Sequence, residues 1–423
     1  MKTTKKVVVS NGFNRFHLMH AAAELDRLGE LATCFTGFYP SPFWKTCLKA
    51  TRLNQVARFS QLNDRGVSLR KGRMVAMPWI EALNAVGTSL GSEWLKTSAR
   101  HAFARRAAKR LPRLGASIFH YRSGFGHHAV KTAKAHGMIA LCDHSIAHPD
   151  MVEFLVNHQG RYPRAHEIPH LGPLWRDIAS DVRQADATLV VSDFVRDTFI
   201  QRGYDPSRLH VIYLGVDDNF VTCLDDLIAR GWPPPKTDDS LRLTFAGTIS
   251  RRKGVPELAQ ALEGLSDLPW TLDLIGPVDD DISSDHASFL KDPRVRLKGV
   301  VSRHDLAKNL LAADILLFPS LAEGSARVVF DALAAGCYVI TTKNAGSIVQ
   351  DNVHGALVAP GDVRAIQHAL YAAAADEDRM VAIGEANARE LRRDWRQSQY
   401  GGKLKVLYEE LLSKAPIRPS KAP

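Results

Sequence analysis

The chain has 423 residues, of which 45% are hydrophobic and 24% charged, with a net charge of +10. These proportions are globular and exclude a disordered or fibrous chain, and the length asks for two domains rather than one core. No apolar run reaches the roughly 18 residues a membrane-spanning helix needs, and the five cysteines, scattered without a CxxC pair, suit a reducing compartment and not a zinc site.

The opening MKTTKKVVVSNG has lysines but neither a long apolar stretch nor a small-residue cleavage site. Its valines read as a first buried strand, not a signal peptide. Further on, KTSARHAFARRAAKRLPR at residues 96–113 concentrates Lys96, Arg100, Arg105, Arg106, Lys109, Arg110 and Arg113. That helix reads as a solvated basic face or as a surface for anionic lipid or an acidic acceptor. No nucleic-acid recognition motif accompanies the charge, so nucleic acid is not an expected partner.

Short apolar runs follow at residues 7–9, 117–121, 138–142 and 188–191, with a further one at 211–214. After YLGVDDNF the pattern loosens into LIARGWPPPKTDDS, whose three consecutive prolines end regular structure. A second set of runs then occupies 241–245, 271–275, 295–297, 315–318, 338–341 and 356–358. Continuous rather than alternating strands, separated by helical patterns, predict parallel sheets covered by helices on both faces. The expected architecture is α/β, with doubly wound domains at 1–215 and 216–390. A last amphipathic helix within 391–414 carries Leu404, Leu407, Tyr408 and Leu411, and the tail APIRPSKAP reads as disordered.

Three strand exits in the second half carry the chemistry. In FAGTISRRKG, residues 245–254, Gly247 lets backbone approach a ligand, while Arg252 and Lys253 stand at the start of a helix. A glycine turn, cations and a helix N-terminus suit a diphosphate, and a charge-assisted bond from Lys253 would contribute about 1.5–3 kcal/mol. In ILLFPSLAEGSARVVFDALAAG, residues 315–336, a strand gives way to a small-residue loop and a helix. Amides near Gly324, Ser325 and Ala326 can hold phosphate or sugar oxygens. Glu323 can accept hydrogen bonds from sugar hydroxyls and Asp331 from a ribose, the two acids falling on one helical side. In VRLKGVVSRH, residues 295–304, backbone groups near Val300 and Val301 could read a base edge.

In this order the segments AGxxxxRKG, GVVS, FPSxxEGSARVVFDALAAGCYVITT and NAGSIVQDNVHGALVAPGD resemble the GT-B fold retaining glycosyltransferases of family 4 (group 1). The earlier VVSDFVRDTFIQRGYDPSRLHVIYLGVDDNF is similar to the junction of that family, so the resemblance runs from about residue 185 to 400. It implies two Rossmann-like domains facing across a cleft, with the second binding a nucleotide-diphosphate sugar. Lys253 would meet the diphosphate, Glu323 the donor sugar and Asp331 the ribose, and the last helix would cross back to the first domain. Three positions depart from the family pattern. Asp331 stands where a glutamate is usual, Cys337-Tyr338 replaces the common x-Pro, and Thr248 stands where an arginine often follows the glycine. Arg252 and Lys253 are thereby left with more of the phosphate charge.

In MIALCDHSIAH, residues 138–148, the resemblance implies a histidine close to the reacting centre, His144 first and His148 second. His127 and His128 follow a Gly-Phe-Gly turn and could line the cleft. Gly12 is the candidate of the first loop, ahead of Arg15 and His17. No second carboxylate sits beside Glu323 at the spacing of a glycosidase, so attack on the face the leaving group vacates is expected. Such a reaction needs electrostatic support of the leaving group and no metal. Asp279-Asp280-Asp281 reads as a turn or helix cap, not a metal site. The expected function is sugar transfer to a glycan, lipid-linked or small-molecule acceptor in cell-surface polysaccharide or glycolipid biosynthesis. Its expected place is the cytoplasm, with 96–113 able to touch the anionic inner face of the membrane. A sugar-nucleotide epimerase of the same fold and a nucleotide-sugar-binding protein without catalysis are the alternatives.

Overall fold

A computed structural model describes residues 6–14, 16–39, 69–70, 72–163, 172–236 and 238–414. Residues 1–5, Arg15, Cys47 and the tail 415–423 lie outside the described residues. The first sheet contains β1 (Val7–Gly12), β2 (Leu31–Thr36), β3 (Met74–Ala76), β4 (Ile118–Arg122), β5 (Ile139–His144), β6 (Ala187–Val190) and β7 (Leu209–Val211). They pair in the order β3-β2-β1-β4-β5-β6-β7, all parallel. The second sheet contains β8 (Leu241–Ala246), β9 (Trp270–Ile275), β10 (Val295–Gly299), β11 (Ile315–Phe318), β12 (Tyr338–Thr342) and β13 (Gly355–Val358). Its order is β10-β9-β8-β11-β12-β13, again parallel. Two Rossmann-like lobes follow, as the runs of apolar residues predict. The runs behave as expected: β1, β6 and β11 are buried at every position.

Two strands escape the pattern reading. In β2, threonines and small residues dilute the run LATCFT, although Leu31, Cys34 and Phe35 are buried. β3 has three residues at the sheet edge and is half exposed. The loosening expected directly after Phe220 also starts later. Asp217 caps a helix over Asp218–Ala229 by accepting from the amides of Asn219 and Phe220. Val216, Phe220, Leu224 and Leu227 belong to the core of the second lobe.

The helix Glu377–Asp394 places Leu391 in that same core, so the return to the first lobe begins with the next helix, Ser398–Lys414. Tyr400, Leu404, Leu407 and Tyr408 pack with Val7, Val9 and Leu18 of the first lobe. Among the described residues no helix is long and apolar enough to cross a membrane. Cys34, Cys142 and Cys337 are buried free thiols, and burial pushes Cys34 and Cys337 up to about 12.

Candidate functional site

In open parallel sheets, ligands gather where the strand order reverses, beyond the carboxyl ends of the flanking strands. The reversal lies between β8 and β11 in the second lobe and between β1 and β4 in the first. The segments 245–254 and 315–336 are therefore the two walls of one switch point. The Gly12 loop and the turn after β4 are the walls of the other.

After β8, the Gly247 amide donates to the Ile275 carbonyl at 2.8 Å. Gly247 has φ +142, and a Cβ there would meet the Lys253 Nζ at 3.2 Å. The missing side chain thus makes room for the lysine to lie across the turn. Gly254, at φ +73, would place a Cβ 2.0 Å from the Pro319 carbonyl, so the turn carrying the cations is seated against the exit of β11. There the Lys253 Nζ lies 2.8 Å from Glu323 Oε1 and 5.0 Å from the centre of the Phe318 ring. Arg252 donates to the same Oε1 at 2.5 Å and to the Ala322 carbonyl at 2.9 Å. One carboxylate thus gathers two cations beside the N-terminus of the helix Val255–Glu263. An anion arriving at that spot meets three sources of positive potential.

Glu323 and Asp331 do not share a helical side. Glu323 precedes the helix, which spans Arg327–Ala335 and carries Asp331. Arg303 takes both Asp331 oxygens, at 2.7 and 3.1 Å, and its guanidinium lies 4.0 Å over the Phe220 ring. This fork stands at the wall of a cavity of about 450 Å3 bounded by Gly247, Gly276, Val300, Arg303, Arg327 and Asp331. Its size and its mixture of glycine backbone, apolar side chains and two ion pairs, Arg303–Asp331 and Arg327–Asp217, suit a nucleoside. Arg303 lies inside the quoted segment 295–304, but only a fold that closes on Asp331 reveals its partner.

Of the amides expected to be free in the 324–326 loop, that of Ala326 is occupied by the Ala345 carbonyl at 2.9 Å. The Ser325 Oγ is buried and without a hydrogen-bond partner among the described residues. Asp279 precedes the short helix Asp280–Asp285, whose Asp281 and Asp285 hold Arg251. Among the described residues no group of three or more His, Cys, Asp or Glu side chains is placed to hold a metal ion.

The first lobe is organised differently. His144 ends β5 fully buried, with its Nδ1 2.8 Å from the Ser123 Oγ. Burial pushes its pKa down to about 4, so the ring is neutral at neutral pH. Its Nε2 is buried and unpaired among the described residues. Next to it, Asp143 lies 2.7 Å from the His17 Nε2 and 3.3 Å from the His120 Nε2. Burial raises its pKa, but the two histidines outweigh that and hold the carboxyl well below its ordinary range. His120 passes the chain on to the Tyr408 hydroxyl at 2.8 Å, tying the returning helix to the β4 and β5 exits. His17, placed behind Gly12 from sequence, is thus part of this network.

His148 is committed elsewhere. Its Nδ1 lies 2.5 Å from Asp150 Oδ1, and Asp150 in turn holds Arg202 at 3.1 Å. It stands at the start of the helix Pro149–Asn157. The His127 ring lies 3.9 Å from that of His101 and meets His128 edge-on at 4.1 Å, and His101 reaches Asp177 at 3.1 Å. Burial, then its two histidine neighbours, pushes His127 down to about 4. Gly12 has φ +75 and faces the Phe125 ring so closely that a Cβ would lie 2.7 Å from it. Packing therefore accounts for that glycine.

The two lobes touch at the exits of β5 and β11. A Cβ on Gly324 would lie 1.7 Å from the Ser145 carbonyl oxygen, and Ser192 donates to the Gly324 carbonyl at 2.5 Å. The residue after His144 thus abuts the residue after Glu323. Ser192 caps its own helix, Asp193–Ile200, and bridges the lobes with the same hydroxyl.

Residues 75–220 match the family model described as Glycosyltransferase Family 4, and residues 240–376 match Glycosyl transferases group 1. A D-inositol 3-phosphate glycosyltransferase of Xylanimonas cellulosilytica is 30% identical over 257 residues, 57% of this chain and 59% of that protein. The chain therefore spans less than two thirds of that relative's length. The Anabaena Alr3699/HepE structure in complex with UDP superposes with a TM-score of 0.63 at 13% identity, over 96% of this chain and all of that one. WaaG, a glycosyltransferase involved in lipopolysaccharide biosynthesis, gives a TM-score of 0.61 at 15% identity, over 95% of this chain and 99% of that one. At such identities the likeness concerns the fold.

Proposed function

The chain belongs to the group 1, family 4 glycosyltransferases, and from that premise we propose that it moves a sugar from a nucleotide-diphosphate donor to an acceptor hydroxyl with retention of configuration. The observation that carries this reading is the meeting of the two lobes at Gly324 and Ser145, with Glu323 held by Lys253 and Arg252 on one side and His144 on the other. The nucleoside would occupy the cavity beside Gly247 and Val300, with its ribose near the Arg303–Asp331 fork. Structures of the Anabaena protein with UDP and with UDP-glucose support a uridine donor as the first to test.

In this reading Lys253, Arg252 and the first turn of the helix Val255–Glu263 stabilise the diphosphate as the sugar bond breaks. Electrostatic support of that kind needs no metal. Glu323 hydrogen-bonds the sugar and so is a catalytic residue in the sense that it touches the reacting group. His144, kept neutral by burial, offers its unpaired Nε2 to a sugar or acceptor hydroxyl. The acceptor is a glycan, a lipid-linked sugar or a small polyol, and the setting is surface polysaccharide or glycolipid assembly.

The test uses donors labelled with 13C at the anomeric carbon, an acceptor pool and EDTA, followed by NMR. The expected product keeps the donor's anomeric configuration, and donor without acceptor persists. Conversion of donor alone into another sugar nucleotide would establish an epimerase. Donor binding with no turnover against any acceptor would establish a binding protein. An inverted product would overturn the same-face mechanism.

A further inference from the structure

The helix Pro78–Ser89 has a single charged residue, Glu81, and that one is buried. Glu81 accepts from the amides of Asn14 and Phe38, at 3.1 and 2.5 Å, and so pins one side of the helix to the exits of β1 and β2. The opposite side faces outward with no charge on it. Trp79 is 87% exposed, Leu90 is 70% and Trp94 is 74%, and Leu83 and Val86 lie exposed between them. The spacing 79, 83, 86, 90 follows the helical repeat, so these four form one stripe and not scattered surface apolar residues, and Trp94 is exposed at the start of the next helix. A tight turn at Gly91 leads into the helix Glu93–Ala108, which packs back on the first so closely that a Cβ on Gly87 would lie only 2.9 Å from the Leu95 side chain.

On that second helix Arg105 lies eleven residues past Trp94, about three turns and ~17 Å along the same side. Arg105, Arg106, Lys109 and Arg113 are exposed, and none has an ion-pair partner among the described residues. Of the other three cations of the basic segment, Arg110 is half-buried and two divide off. Arg100 is buried and faces Asp177, and Lys96 pairs with Glu93. The exposed surface of the helical hairpin is therefore apolar and tryptophan-flanked at one end and cationic at the other.

We propose that this hairpin docks the protein on an anionic lipid bilayer, with Trp79, Leu90 and Trp94 entering the interfacial layer and Arg105, Arg106, Lys109 and Arg113 contacting phosphate headgroups. Indole rings favour the boundary between headgroups and acyl chains, and each nearby cation adds attraction to an anionic leaflet. Charge complementarity selects this occupant over a second copy, which would bring the same uncompensated cations and the same net charge of +10. The proposal does not rest on the transferase reading, because docking requires neither donor nor acceptor.

The full chain is floated with vesicles of phosphatidylcholine and phosphatidylglycerol, and with phosphatidylcholine alone, without substrates. Binding is expected with the anionic vesicles and much less with the neutral ones, weakening at high salt. Replacing both tryptophans (Trp79→Ser with Trp94→Ser) should weaken partitioning about a hundredfold. Arg105→Gln with Arg106→Gln should weaken it about tenfold. Circular dichroism checks that these surface variants fold, and quenching of wild-type tryptophan fluorescence by brominated lipid tests insertion without any variant. Absence of flotation with anionic vesicles, flotation indifferent to the tryptophan pair, or failure of brominated lipid to quench would overturn the proposal. So would a dimer in solution that the tryptophan substitutions dissolve while no vesicle is bound.

Discussion

Near the switch point of the second lobe, partly exposed cations meet opposite charges: Lys253 and Arg252 share Glu323, and Arg303 grips Asp331 at the wall of the cavity. In the first lobe the corresponding polar groups are in the core. Ser123 holds His144, His120 holds Tyr408, and Asp143 lies between two histidines. The contrast follows from depth. A cation that keeps some exposure can exchange a protein carboxylate for a ligand phosphate, since both partners are anionic and solvent softens the change. A fully buried group that loses its partner is left desolvated, at about 1–3 kcal/mol for a neutral polar group and more for a charge. The second lobe is suited to exchanging partners, and the first to fixing an orientation.

Substitutions at Glu323 should break this comparison most sharply. Glu323→Gln is expected to lower transfer about a thousandfold, because the sugar loses its acceptor group at the reacting centre. Nucleoside diphosphate affinity should stay level or rise, because Lys253 and Arg252 lose a competing carboxylate. Steady-state kinetics paired with calorimetry read both, and a parallel loss would contradict the exchange picture. Gly324→Ala comes next, with a fall in transfer of about a hundredfold. Its Cβ would collide with the Ser145 carbonyl of the other lobe, while nucleotide binding within the second lobe should be unchanged.

The orientation-holding side of the comparison is tested by acid. The unfolded chain takes up a proton at His144 near 6.5, whereas the folded ring resists down to about 4 because of burial. Between those values the unfolded state binds more protons, so stability falls as pH is lowered through that window. The full loss at this one site is about 3 kcal/mol. Urea unfolding of His144→Gln at neutral and mildly acidic pH should show a smaller loss on acidification than the wild type. The smallest effect belongs to Tyr408→Phe, which leaves the His120 Nδ1 without its partner. It should cost about 1 kcal/mol of stability, measured by thermal unfolding, with nucleotide affinity unaffected.

Much of the second lobe was legible in the sequence because its strands carry short apolar runs, continuous in β11 and broken by polar residues in β8, β9 and β10, and its site residues follow them directly. The segments after β8 and β11 face each other once strand order is known, and the periodicity of the last helix anticipated its burial. What pattern could not give was pairing across distance. Asp331 could be assigned to a ribose but not to Arg303, which lies 28 positions earlier in the chain. The His17–Asp143–His120–Tyr408 chain joins four elements and has no local signature. Gly12 drew attention as a loop glycine, yet the nearby Phe125 ring is what demands it. In β2 the threonines and small side chains hid a buried strand, and β3 was too short to show. Helical spacing put Glu323 and Asp331 on one side, but the helix starts only after Glu323.

The most direct test of the account is calorimetric titration of UDP, GDP and ADP in EDTA into the wild-type chain and Lys253→Ala. The lysine lies across Gly247 and shares Glu323 with Arg252, so it should carry a large part of the diphosphate's binding. The account predicts that one nucleoside diphosphate binds the wild type without added metal and that the variant binds it about ten- to a hundredfold more weakly. Equal affinity in the two proteins, or binding that appears only with a divalent cation, would contradict it.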